Sequence, residues 1–386
     1  MVSVPHGQSI VSAHETAFAS LVGTRHAVGF GYARTALTAT LRGLNLRPGS
    51  EVVVSGLTCR VVPLAVQRAH AKIRYADIDA QTLNLDPELL AVALVHRPGA
   101  VLFQHTYGQS ASLAPVAAAS HDRGIPLIED RAQLLPTSTG DPLTGVAAIY
   151  SNNLRKPLPA GSGGMVVTND DQLASSLRAF QRKLPRPGLR TRAWHRVEWW
   201  LHDHWLQADR YWQAYRLHRW VASRQSGSRE TIFKREVIDA EVRPSIAQEA
   251  RGLDWLARTA QDAVTRRSAA ATYRTALADL PGVELPCQQA SDPLYYFPVL
   301  TSDKVRTLQE ARRRRLEVVA WPISFPIYPV ESTRGLSDLD YTPGQCPTAE
   351  WVAARLVGLP TRPGGPPDEP ARIIDLVTDT SGKSAQ

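Results

Sequence analysis

The sequence predicts an α/β protein: a large domain built on a mostly parallel central sheet, followed by a smaller C-terminal α+β domain. Three observations carry this. Short apolar runs alternate with helical stretches through the first half, at the spacing of strand–helix–strand units. A second helical pattern with fewer strands begins near residue 244. The chain has 386 residues, 43% hydrophobic and 21% charged, the composition of a globular protein large enough to bury a core without disulfides or metal.

The strands follow in order. Val52–Ser55, Lys72–Asp77, Ala100–Phe103, Pro126–Glu129, Ala147–Tyr150 and Met165–Thr168 are short apolar segments with strand character. Helical candidates lie between them at about 34–43, 59–70, 86–94, 112–124 and 171–183. In such a sheet, ligands bind beyond the carboxyl ends of the strands, so the polar residues just after each strand are the ones to weigh. In the second pattern, Ile246 to about Ala278 reads as one or two helices, Tyr295–Leu300 as a strand, Ser302–Arg315 as a helix, Leu316–Ala320 as a strand and Pro347–Leu356 as a helix. The expected organisation is a large domain over 1–240, a small domain over 241–362, and a mobile tail over 363–386, where the composition turns rich in Pro and Gly.

Residues 185–230 interrupt the large domain. Six of the nine tryptophans lie between Trp194 and Trp220. Trp194, Val197, Leu201, Trp205, Ala208, Trp212 and Tyr215 recur at helical spacing and form one apolar face, with Arg196, Arg210, Arg216 and Arg219 interleaved. The favoured expectation is a helix or helix pair packed on the protein or on a partner subunit. Trp with Arg also suits an anionic membrane surface, so peripheral membrane contact through 194–220 is the less favoured alternative. No nucleic-acid motif accompanies the aromatics, and none is expected as a partner despite the net charge of +8.

Cys59, Cys287 and Cys346 are far apart and form no CxxC pair. That argues against a metal site or a disulfide framework and fits a cytoplasmic protein. The first residues lack a basic start followed by an apolar run, and no apolar stretch approaches the ~18 residues of a membrane span.

The chemistry concentrates in three consecutive pieces. One strand leads into Asp130, with Gln133 three residues on; the next ends in Ser151, with Lys156 five residues later; Gly161-Ser-Gly-Gly164 then opens the third strand. Pyridoxal 5'-phosphate asks for this set. A lysine amine forms a Schiff base. A carboxylate keeps the pyridine nitrogen protonated so that the ring draws in electrons. A polar side chain holds the ring hydroxyl, and hydroxyl and N–H donors at a helix start bind the phosphate.

In their context these residues resemble the DegT/DnrJ/EryC1/StrS family of fold-type I, pyridoxal-phosphate-dependent aminotransferases. Ile128-Glu-Asp-Arg-Ala-Gln133 resembles the family's E-D-A-A-Q, Tyr150 to Lys156 its F-S-F-x-x-x-K, and Gly161 to Asp170 its G-E-G-G-x-x-x-T-N-D. Pro48–Val54, Asp77-Ile-Asp79, His105-Thr-Tyr-Gly108, Cys346–Glu350 and Leu359-Pro360 are further matches, so the likeness runs from about His14 to Leu359.

The resemblance implies that Lys156 is the Schiff-base lysine and proton shuttle, that Asp130 pairs with the ring nitrogen, that Gln133 holds the ring hydroxyl and that Ser151 binds the phosphate. Ala33-Arg-Thr35 aligns with the family's G-T-A phosphate loop, so Ala33 and Arg34 join the cofactor site. Cys59 stands where an aromatic or His stacks on the ring. Arg243 and Tyr107 are the substrate-binding candidates, and Glu241 stands where a partner subunit's Asn reaches the phosphate.

The implied activity moves an amine from glutamate or glutamine to a keto group of a nucleotide-linked sugar or related intermediate, in a homodimer. Arg34, Cys59 and Glu241 depart from the family pattern. They leave open another pyridoxal-dependent reaction of secondary metabolism, such as elimination, racemisation or carbon–carbon bond formation, and, more remotely, a non-catalytic member. Dehydratases of the family carry His in place of the lysine, which Lys156 argues against.

Overall fold

The computed structural model describes residues 9–138, 142–204, 241–286 and 289–381. The expected domain boundary at residue 240, and most of the Trp-rich segment from residue 205 on, lie outside the described residues.

The described residues open with a helix that the sequence pattern does not announce, α1 (Ile10–Val22), capped by Ser9 and ended by Gly23 in the left-handed region. A first strand, β1 (His26–Phe30), leads into α2 (Ala33–Gly43). The large sheet then takes up β2 (Glu51–Ser55), β4 (Lys72–Ala76), β5 (Ala100–Gln104), β6 (Leu127–Asp130), β7 (Ala147–Ser151) and β8 (Gly164–Thr168). Each lies within a residue or two of its expected place. Their order is β1-β8-β7-β6-β5-β2-β4. All pairs from β7 to β4 are parallel, whereas β8 runs antiparallel to both β7 and β1.

The helices α3 (Val61–Arg68), α4 (Pro87–Leu94), α5 (Leu113–His121) and α6 (Asp171–Lys183) connect these strands. Asp86 caps α4 ahead of Pro87, and Asp170 caps α6, each side chain accepting two backbone N–H groups. Val52, Val53, Val101, Ile128, Ala147 and Val166 are wholly buried, as strands covered on both faces must be.

The C-terminal lobe is a second, three-stranded sheet of β9 (Val283–Glu284), β10 (Tyr296–Thr301) and β12 (Leu356–Pro360), in the order β12-β10-β9. Its helices include α8 (Ile246–Leu256), α9 (Thr259–Leu277), α10 (Lys304–Arg314), α11 (Thr333–Ser337) and α12 (Pro347–Ala353). Two expectations fail here. Leu316–Ala320 is not a strand: only Val319 bridges to Gly358, and Trp321-Pro322 follows directly, where proline has no N–H for a ladder. The tail expected to be mobile instead forms α13 (Glu369–Ser381), after the Pro- and Gly-rich turn. Ile373, Leu376 and Val377 are wholly buried against Tyr273, Phe297 and Leu359, so an apolar stripe at helical spacing outweighs the loop-forming residues ahead of it.

The contacts between the lobe and the N-terminal half include one short strand pairing. The short strand β3 (Thr58–Cys59) pairs in parallel with β11 (Ile327–Tyr328). The buried Lys304 ammonium donates to the carbonyls of Pro322, Ile323 and Ala353 at 2.7, 2.8 and 2.6 Å, fixing the loop that leads to β11.

Of the Trp-rich segment, α7 (Leu189–His204) is described. Within the single chain, the described part of the face expected to pack on the protein or on a partner subunit is exposed: Trp194, Val197 and Leu201 are 59%, 47% and 37% accessible. The packed face carries His195 and Trp199 instead, because the surface beneath offers a glycine slot and polar partners rather than an apolar groove.

Candidate active site

The carboxyl ends of β5, β6 and β7 place the sequence-predicted residues side by side. Gln104 is paired with Asp130, and Asp130 with Ile149, two residues before Ser151. Ser151 is in turn opposite Gly164. A Cβ on Gly164 would overlap Ala33 backbone, so glycine here lets the start of α2 sit against the sheet beside Ser151. Tyr32, which precedes α2, makes no side-chain cap hydrogen bond, and a helix start beside Ser151 is a place where backbone N–H groups and the helix dipole favour an anion. The segment after Glu241 borders the same corner, with Gly31 N–H donating to the Val242 carbonyl at 3.0 Å.

Lys156 lies in the loop between β7 and β8. That loop folds back on itself: Asn152 N–H donates to Gly163 O at 3.0 Å, Leu154 N–H to Gly161 O at 3.1 Å, and Lys156 N–H to Asn153 O at 2.9 Å. Burial pushes the Lys156 ammonium below its ordinary value, and the charges of Cys59 and Asp130 pull it part of the way back. Asp130 is displaced the other way: burial raises its carboxyl, against the Ala132 N–H and the charge of Lys156. Burial likewise raises the Cys59 thiol, with Lys156 and Asp130 both acting on it. Three residues spread over 98 positions of sequence thus share one electrostatic pocket.

Gln133 is oriented by its surroundings. Tyr107 N–H donates to its Oε1 at 2.8 Å, which leaves the NH2 end as the one able to hold a phenolic oxygen. Arg34 lies with its guanidinium carbon 4.3 Å from the centre of the Tyr32 ring, at the start of α2.

The donor set fits pyridoxal phosphate. It combines a lysine driven toward the neutral amine, a buried carboxylate beside it, an amide with its donor end open, and a hydroxyl next to a helix start.

Comparison with known proteins agrees with this geometry. A family model described as the DegT/DnrJ/EryC1/StrS aminotransferase family matches residues 6–378. The chain belongs to that family.

One relative in it is the dTDP-3-amino-3,4,6-trideoxy-alpha-D-glucose transaminase of Micromonospora megalomicea, 26% identical over 97% of this chain and 90% of its own. The UDP-2-acetamido-2-deoxy-3-oxo-D-glucuronate aminotransferase of Pseudomonas aeruginosa is 35% identical, but over 46% of this chain and 52% of its own. The chain spans about half the length of several curated relatives that it matches, between 43% and 52%. Among solved structures, S. venezuelae DesV in complex with a ketimine intermediate superposes with a TM-score of 0.74 at 25% identity, covering 97% of this chain and 90% of that one.

Against the family pattern, two candidates for substrate contact are not brought into the cluster. The Arg243 guanidinium donates to the carbonyls of Leu184, at 2.9 Å, and Arg182, and so closes the C-terminal end of α6. The Tyr107 hydroxyl donates to Trp321 O at 2.7 Å, and its ring is buried. Tyr107 acts instead through its backbone, gripping Gln133 from a left-handed conformation (φ 57°).

The sequence reading missed three features. Tyr295 lies with its ring centre 5.7 Å from Lys156 Nζ, and its hydroxyl donates to Arg155 O. Arg60, next to Cys59, is buried, and its Nε and Nη1 have no partner among the described residues, a costly arrangement that an anion would relieve. The third is a charged network under the site. Glu129 is wholly buried and meets His105 Nε2 at 2.9 Å, Arg131 Nε at 2.9 Å and the N–H groups of Thr144 and Gly145. Burial opposes its ionisation, but His105 and Arg131 prevail and hold the carboxyl down at about 2. Glu129, Arg131 and His105 all stand in matched motifs, but nothing in the sequence joined them into one network.

Proposed function

We propose that the protein is a pyridoxal-phosphate-dependent aminotransferase that transfers an amine from glutamate or glutamine to a keto group of a nucleotide-linked sugar. The observation that carries this reading is the shared pocket of Lys156, Asp130 and Cys59 beside the α2 start. The sugar acceptor is supported by the dTDP- and UDP-sugar transaminases among the relatives.

The cofactor, when bound, supplies an aldehyde that condenses with amines and a ring that takes up electron density. Lys156 Nζ, kept toward the neutral amine by burial, would hold the aldehyde, and as a free amine it would take the donor Cα proton and hand it on, as base and then acid. Asp130 would accept the ring N–H, and the Gln133 amide would donate to the ring hydroxyl. Ser151, Ala33 and Arg34 would hold the phosphate, and Cys59 and Tyr295 would border the ring and the lysine.

The protein acts as a homodimer in the cytoplasm. Family likeness supports the dimer, and the low number of cysteines, with Cys59 and Cys346 free, supports a reducing compartment. Among the described residues no helix is long and apolar enough to cross a membrane.

The test is spectroscopic. Protein loaded with pyridoxal phosphate is expected to show a visible absorption band that L-glutamate bleaches with stoichiometric release of 2-oxoglutarate, and Lys156→Ala should lack the band. A band that persists in Lys156→Ala rules out the lysine assignment. A band insensitive to every amino donor rules out transamination.

A further inference from the structure

The helix α7 has no part in the reading above, yet it touches the loop that carries Lys156. Gly161 and Gly163 form the return arm of that loop, hydrogen-bonded to Leu154 and Asn152. Both have positive φ, 115° and 140°. The Trp199 indole edge occupies the space where a Cβ on Gly161 would stand. Between the two glycines, Ser162 Oγ lies 3.3 Å from His195 Nε2 and also accepts from the Gln248 amide. Ser162 stands where the family pattern has Glu, and the smaller side chain leaves room for the imidazole. Ser162, His195 and Gln248 are each at least 95% buried.

The far side of the contact is anchored as firmly. Gln248 belongs to the capping box of α8, so its position is set by the helix start. Arg251, one turn on, donates to Asp203 of α7 at 2.8 and 2.6 Å and lies 5.6 Å from the Trp199 ring centre. His195 stacks on Trp199 with ring centres 6.2 Å apart. An unbroken set of contacts therefore runs from α8 through α7 to Gly161 and Ser162, on the strand-like arm opposite Asn152–Leu154. Nothing in a sheet-and-loop site requires it: Lys156 already has its local turn.

Resting on the proposed role of Lys156, we infer that His195 and Trp199 are positioning residues for the pyridoxal-binding lysine. By pressing on Gly161 and Ser162 they hold the return arm against Asn152–Leu154 and fix where Lys156 Nζ meets the cofactor. The helix α7 is thereby part of the active-site scaffold rather than an appendage.

The experiment compares wild type with His195→Ala, His195→Gln, Trp199→Ala and Arg251→Ala as full-length chains, with pyridoxal phosphate as the probe. Two quantities are read: its dissociation constant, from protein fluorescence, and the pH midpoint of its visible band. Circular dichroism confirms that each variant is folded. His195→Ala and Trp199→Ala should weaken cofactor binding by about tenfold and move the midpoint by about half a unit. His195→Gln, which keeps a donor near Ser162, should recover most of both. Arg251→Ala, which loosens α7 without touching the loop, should move them in the same direction.

Folded variants that keep the wild-type affinity and midpoint, even with a lower melting temperature, overturn the inference and leave α7 a stabilising element. Failure of the wild type itself to bind pyridoxal phosphate overturns the reading of Lys156 on which the inference rests.

Discussion

Glu129 is wholly buried and still ionised, next in sequence to Asp130, which burial drives the other way. The difference lies in partners: Glu129 meets His105 and Arg131 directly, whereas Asp130 receives one backbone N–H and the more distant charge of Lys156. A folded value of about 2 against an ordinary 4.5 means that the native state keeps Glu129 charged where the unfolded chain would protonate it. The network therefore contributes about 3 kcal/mol above pH ~4.5, lost progressively as pH falls toward 2. Glu129→Gln should unfold at a lower temperature at pH 7, and its deficit against wild type should shrink in melts at pH 3. An equal deficit at both pH values would mean that shape, not charge, sets the contribution.

Residues whose role depends on a local run were legible in the sequence. Lys156, Asp130, Gln133 and Ser151 each follow a strand within a few positions, and strand ends face ligands in this architecture. Tyr295, Arg60, His195 and Trp199 were not legible, because each meets its site through contacts that only the folded chain brings together. Arg243 and Tyr107 show the converse: the sequence marked them, but local geometry commits their polar ends to backbone carbonyls.

At the scale of elements, strands rich in Val and Ile announced themselves, and caps such as Asp86 and Asp170 set the helix starts. The helix α1 was missed because its alanines and serines give little periodicity, and β1 because it is five residues interrupted by glycine. The antiparallel sense of β8 has no local signature. The composition of 363–386 points to a mobile tail because its Pro and Gly are crowded into the turn, while Ile373, Leu376 and Val377 lie beyond it at helical spacing. Those three side chains make α13 part of the small-lobe core, so Ile373→Ala should cost about 2–4 kcal/mol in denaturant unfolding. A cost within ~0.5 kcal/mol, as for an exposed site, would restore the mobile tail.

For the whole molecule, the two lobes meet beside the lysine. Cys59 belongs to the pair β3–β11, so one strand of the joint carries a cofactor candidate and the other comes from the C-terminal half. If the proposed homodimer is right, sedimentation at micromolar concentration should give twice the 42.3 kDa chain mass, and the melting temperature should rise with protein concentration. A single-chain mass over the working range would remove the dimer from the proposal.

The place of α13 in the small lobe has a consequence for synthesis. The seven-stranded sheet has all its strands by Thr168, less than halfway along the chain, so it is free to assemble while the ribosome is still translating. The small lobe has no such freedom. The strand β12 flanks β10 along one whole edge, and α13 fills the core behind them, so neither fold nor burial is complete until both β12 and α13 have been made. During that interval the nascent lobe leaves Tyr273, Phe297 and Val299 uncovered. A chain truncated ahead of α13 would therefore carry a finished sheet bearing a sticky, half-built lobe, a natural client for chaperones.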